Sequence, residues 1–405
     1  MNRNAADGVR RRGRGTHSKA GSDSGWGGGS SDHGRESSMG KTDNRGTMMR
    51  QMQAFLGAAS VASVPGLLAT HVNIAMYAFA YWLQQPVLPF ISSELGASAA
   101  TFGLLQSVFS GAQLLGGPVM GTMADSLSPR AILAISLAAG GVSYGLLALT
   151  HSLPMLFASK LPSAAMHAMM AAQACVSTLS TPEARAQALG RLSLSYGLGM
   201  VAGSALGGSL TRVVSLHTVA GMSAAVSFAT VAATYQLLPD KVGGEGRRKE
   251  AEDKDAASPG LGASLKLMVS PALAPVMLFV AAVGLALSMQ RATFSMMAKD
   301  AFGLSSEELG WTMSYGALLG LVVNVVIVPL LTSVMSEIQT SIAAAALLAL
   351  GFVGYGSAAS LADIVVVLVP LTVASATLYT VTTALISNVV PAELVGSAIG
   401  LRHGL

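Results

Sequence analysis

The sequence predicts an all-α membrane protein built from two similar halves, and three observations carry that prediction. Charged residues make up 11% of the chain and hydrophobic ones 52%, where an ordinary soluble domain is about 25% charged. Apolar runs recur at the length that crosses a hydrocarbon core of about 30 Å, roughly 20 helical residues. Segments near the start and end of the apolar region also repeat at nearly one offset.

Residues 1–62 consist of Gly, Ser and charged residues without apolar periodicity and read as a disordered cytosolic tail. The tail holds ten Lys/Arg against five Asp/Glu, most of the excess behind the net charge of +4. A secretory signal is excluded, because the first apolar run begins too late and runs too long.

Ten apolar runs follow, at about 66–91, 101–124, 130–150, 153–179, 187–211, 215–238, 271–297, 309–334, 339–360 and 363–389. The first six form an N-terminal bundle over 63–239. A charged cytosolic linker, 240–268, separates them from the last four, which lie in 269–405. Lys and Arg in the connections set the orientation. With the tail inside, twenty fall on the inner side and only Arg212, Arg291 and Lys299 on the outer, leaving Lys160 within the fourth run. Cys175 is the single cysteine, so no intrachain disulfide is possible.

The repeat is visible in two places. "LGASAATFGLL" after run one matches "FGLSSEELGWT" after run seven, pairing Gly96 and Gly103 with Gly303 and Gly310 at an offset of 207. "PEARAQALG" matches "AELVGSAIG", pairing Glu183 and Gly190 with Glu393 and Gly400 at an offset of 210. A parallel duplication of six-span halves follows. The second half then extends past Leu405, so ten spans are present of an expected twelve and the last two are missing.

Two motifs sit at helix ends and faces. In "GTMADSLSPR", Asp125 can accept hydrogen bonds from the free N–H groups of a facing helix N-terminus while Arg130 holds it. In "GMVAGSALGG", Gly199, Gly203 and Gly207 stand four apart, followed by Gly208, so bare backbone on one face lets another helix approach closely. A nucleotide-binding reading of these glycines fails on their spacing and on the absence of a preceding strand.

With its six-span halves and charged linker the chain resembles the major facilitator superfamily. "GTMADSLSPR" resembles that family's signature between spans two and three through Gly121, Asp125 and Arg130, with Ser126, Ser128 and Pro129 departing from it. "GMVAGSALGG" resembles the antiporter signature of span five, with Ser204 where the signature has Pro. Longer stretches, among them "LLGGPVMGTMAD" and "FASKLPSAAMH", are similar to the organic-cation-transporter-like branch of solute carrier family 22. The resemblance implies a two-bundle helical fold and a secondary transporter of the drug or organic-cation:proton antiporter kind. It also implies a cytosolic gate in which Asp125 and Arg130 contact the start of an eleventh span. Lys160 stands where the family has Arg in span four, and Tyr77 stands where the branch has Glu in span one.

Polar groups inside spans are costly and are the candidates for a substrate path. They are Lys160 and His167, seven apart and so on one face of a continuous helix, with Gln84, Gln85, Gln106, Gln113, Gln173 and Asn324. Arg291, near the outer end of run seven, is read as snorkelling. The runs hold no deep carboxylate, so His167, or else His71, is the candidate proton carrier. The partners expected are a small organic solute exchanged for protons and the lipid bilayer, with a monomeric protein, no nucleic acid, no metal and no cofactor. Neither a metalloenzyme nor a serine-hydrolase motif occurs, which excludes the common membrane-enzyme chemistries. The alternative is a transport-inactive truncated homologue acting as a membrane scaffold or regulator.

Overall fold

The computed structural model describes residues 65–180, 182–238 and 274–389. The tail, the linker, the proposed start of span eleven and the second repeat match at Glu393 and Gly400 lie outside the described residues. Among the described residues every regular element is helical. The first run gives α1 (Pro65–Gln84) and the short α2 (Leu88–Glu94), broken by Pro86. Then come α3 (Ala99–Ser126), α4 (Pro129–Ala148), α5 (Leu153–Ala158), a 3₁₀ segment (Leu161–Ala165) and α6 (Ala168–Leu179). They are followed by α7 (Pro182–Leu210), α8 (Leu216–Leu237) and α9 (Ala274–Phe302). The last are α10 (Ser306–Val334, with a π-helical turn at Val323–Ile327), α11 (Glu337–Ser357) and α12 (Leu361–Val389). Six of these, α4, α8, α9, α10, α11 and α12, are long and apolar enough to cross a membrane.

Serine starts six of these twelve helices. Ser98, Ser128, Ser152, Ser215, Ser305 and Ser336 each accept a hydrogen bond from the backbone N–H three residues on, which satisfies a donor the helix cannot pair internally. Ser305 with Glu308 and Ser336 with Gln339 complete reciprocal capping boxes. The repeat is built twice in the same way: Gly96 (φ 80°) and Gly303 (φ 65°) both take the left-handed turn that favours glycine. Each stands two residues before a capping serine.

The glycines of "GMVAGSALGG" fix how α1 and α7 pack. A Cβ at Gly199 would lie 2.1 Å from the Ala75 carbonyl oxygen, one at Gly203 2.5 Å from that of Phe79, and one at Gly207 2.0 Å from that of Leu83. Both series rise by four, so the two helices run parallel with backbones in contact. Gly208 turns to the second half instead: its Cβ would meet the Ser306 carbonyl oxygen at 2.6 Å, and a Cβ at Gly310 would meet that of Ser204 at 2.5 Å. Ser314 donates to the Val201 carbonyl at 3.0 Å and Gly197 faces Leu321, so α7 and α10 cross antiparallel. The end of the molecule where α7 finishes is called here the Arg212 end, and the opposite one the Arg130 end.

The fourth run departs from the expected single helix. Pro162 has no N–H and its ring opposes continuation of α5, so the chain tightens into the 3₁₀ segment and then leaves helical geometry at Met166 (ψ 68°) and His167 (ψ 39°). Lys160 caps one side of this break and His167 the other. The two helical turns that were to place them on one face are absent.

Candidate functional site

Between the halves lies a cavity of about 610 Å³. Four helices present regularly spaced side chains to it: Tyr77 and Tyr81 from α1, with Gln85 from the turn that follows, Gln106, Ser110 and Gln113 from α3, Ser288, Arg291 and Ser295 from α9, and Leu368, Thr372 and Ser375 from α12. Spacings of three and four put each set on one helix face. Tyr196 and Met200 of α7 and Thr312, Met313 and Gly316 of α10 also line it.

The first-half wall is aromatic. The ring centroids of Tyr81 and Trp82 are 5.5 Å apart, those of Tyr81 and Phe109 6.1 Å, and those of Tyr77 and Tyr196 6.5 Å. Trp82 Nε1 donates to the Tyr196 hydroxyl at 3.2 Å, which holds these side chains from α1 and α7 together. Tyr77 Oη and Gln113 Nε2 both reach the Met166 carbonyl at 3.4 Å. The cavity wall thereby supplies donors to the broken fourth run.

The sequence candidates divide. Gln85, Gln106 and Gln113 line the cavity, whereas Lys160, His167, Gln84, Gln173 and Asn324 are not among its lining residues. Lys160 is 4% exposed, and its carbonyl accepts from Ser163 Oγ at 2.6 Å. His167 has a buried Nε2 with no partner among the described residues and packs beside Gly117 of α3. His71 Nδ1 meets Ser195 Oγ at 3.0 Å. Gln84 is buried and donates to the Tyr81 carbonyl, Gln173 is exposed, and exposed Asn324 sits in the π-helical turn and donates to the Gly320 carbonyl. At the Arg130 end, Gly121 has open space where a Cβ would stand, and Arg130 donates to the Leu238 carbonyl at 3.0 Å and lies over the Tyr235 ring. The Asp125 side chain lies outside the described residues.

Two features escaped the sequence reading. Arg291 is not at the end of its helix: it stands eleven residues before Phe302, where α9 stops, and faces the cavity. At the Arg212 end the halves meet through more than the glycine crossing. Arg212 pairs with Glu307, Ser306 donates to the Pro86 carbonyl at 3.1 Å, and Lys299 lies over the Phe90 ring.

Two sets of helices that share one central cavity and meet closely at one end define a multi-pass membrane transporter of the secondary kind. The chain belongs to the Major Facilitator Superfamily, whose family model matches residues 70–404. It is 31% identical to mouse solute carrier family 22 member 18 over 83% of this chain and 84% of that protein. It is 34% identical to human solute carrier family 67 member A1 over 70% of this chain and 67% of that one. Multidrug resistance protein 1 of Bacillus subtilis is 25% identical over 63% of this chain and 64% of its own. Solved structures with the same fold include the peptide transporter POT in complex with sulfate and the human organic anion transporter MFSD10. The first has a TM-score of 0.66 at 16% identity, covering 84% of this chain and 86% of that one; the second has 0.58 at 18%, covering 84% and 89%. The protein is therefore a transporter and not an enzyme.

Proposed function

We propose that the protein moves a small organic solute across the membrane by alternating access, with the central cavity as the binding site. The observation that carries this reading is that both halves line one cavity of about 610 Å³, within the range that encloses drug-sized molecules. In this reading the described state is closed at the Arg212 end, which the count of basic residues makes the outer one, and Asp125 with Arg130 gates the other. Relatives named for multidrug and tetracycline resistance support a drug-sized solute. Exchange for protons is part of the proposal through the antiporter-type glycines of α7, with His167 as carrier.

Vesicles holding the full chain test it. Tetracycline and similarly sized solutes are expected to enter faster than into empty vesicles, and Gly316→Trp, which fills open space at the cavity wall, is expected to abolish that uptake. An imposed pH gradient should drive uptake, and His167→Gln should remove the dependence. Uptake indifferent to Gly316→Trp would sink the cavity; a pH dependence surviving His167→Gln would rule out His167.

A further inference from the structure

From the charge of the cavity we propose that its solute is an organic monoanion, an aromatic or otherwise apolar body bearing one carboxylate or equivalent acid group that seats on Arg291. This rests on the cavity being the transport site. Among the residues lining it, Arg291 carries the only side-chain charge at neutral pH, and no Asp or Glu is present. The guanidinium donates to Ser288 Oγ at 3.2 Å and has no carboxylate partner among the described residues. Such a charge facing a protein cavity, with no internal counter-ion, attracts an anion and repels a cation of the same shape.

Position removes the snorkelling alternative. Arg291 stands eleven residues before the end of α9 at Phe302, about 16 Å along the helix axis, and lines the cavity, so its head group is solvated by the cavity or by what fills it. Five donors in a planar fork match a carboxylate in two-point contact. Gln113 and Gln290 also line the site and can complete an anion's hydrogen bonds. Opposite, Tyr81, Trp82, Phe109 and Tyr196 offer ring faces and edges to an apolar body. One fixed positive charge sets the solute charge at minus one. The organic-cation preference implied by family resemblance is thereby reversed, and Tyr77, where the related branch has an acid, contributes no countercharge for a cation.

A matched pair of probes decides the question. Tritiated 2-naphthoate and 2-naphthylmethylammonium share a ring system and differ in charge. Their equilibrium binding is measured on the full chain, on Arg291→Gln and on Arg291→Lys. Naphthoate is expected to bind the unmodified protein at least roughly tenfold more tightly than the ammonium. Arg291→Gln should erase that ratio, and Arg291→Lys, which keeps the charge and loses the fork, should leave an intermediate one. A ratio at or below one, a ratio unchanged in Arg291→Gln, or binding of neither probe overturns the proposal. Transport as such is judged separately, by whether a cysteine in the cavity is reached from both sides of the membrane, so the anion inference can fail while the transport reading stands.

Discussion

Replacing Gly310 with Ala should force the halves apart at the Arg212 end. The new Cβ would stand 2.5 Å from the Ser204 carbonyl oxygen and 2.8 Å from Gly208 Cα. An ordinary C···O contact is about 3.3 Å, so α7 and α10 must separate by about 0.8 Å at their crossing. Overpacking of this kind costs about 1–3 kcal/mol, and the cost falls on states in which the halves touch there. The expected population shift toward states open at that end is roughly 5- to 150-fold. Spin labels on cysteines placed at the exposed positions Val213 and Trp311 report the separation by electron–electron distance measurement. The native Cys175 is buried and does not interfere. The repeat supplies its own control, because Gly103 corresponds to Gly310 yet has open space where a Cβ would stand. Longer distances in Gly310→Ala and none in Gly103→Ala are expected. Equal distances in both variants, lengthened or not, would refute the argument.

Further outcomes follow from the same contacts. Gly203→Ala presses a Cβ to 2.5 Å from the Phe79 carbonyl oxygen and should lower stability in detergent by about 1–3 kcal/mol; Gly121→Ala, into open space, should leave the melting temperature unchanged or higher, and the two are compared by thermal unfolding. Ser305→Ala removes the capping box of α10 at a cost of about 1 kcal/mol, read as faster hydrogen exchange at the Glu308 amide. Tyr77→Phe and Gln113→Leu each remove one long hydrogen bond to the Met166 carbonyl, so either alone should be mild. Together they orphan it, and a double-mutant cycle on thermal stability should show more than additive loss, within about 1–3 kcal/mol.

Fold class was legible because burial in a bilayer demands long apolar helices, and capping serines mark where half of them begin. Gly96 and Gly303 were legible as a repeat because a left-handed turn leaves few alternatives to glycine. The break in the fourth run was announced by Pro162, but an apolar run reads the same whether its helix is continuous or broken, so spacing alone put Lys160 and His167 on one face. The cavity was half legible. Gln85 and Gln113 stand out as polar residues in apolar runs, whereas Tyr81 and Tyr196 look like ordinary membrane aromatics until α1 and α7 are placed together. Arg291 was misread because the end of α9 lies at Phe302, several residues beyond where the apolar run stops. The ion pair of Arg212 with Glu307 joins residues 95 apart, and no local pattern signals it.

Side-resolved labelling of the cavity tests alternating access most directly. A cysteine at Ser375, on the cavity wall of α12, is exposed to a membrane-impermeant thiol reagent from one side at a time. The measurement is made in the chain as it stands and in a form with Arg212→Cys and Glu307→Cys cross-linked. Labelling from both sides is expected in the free form, and from the Arg130 side alone once the Arg212 end is cross-linked. Labelling from the Arg212 side that persists after cross-linking, or no labelling from either side, would contradict the account.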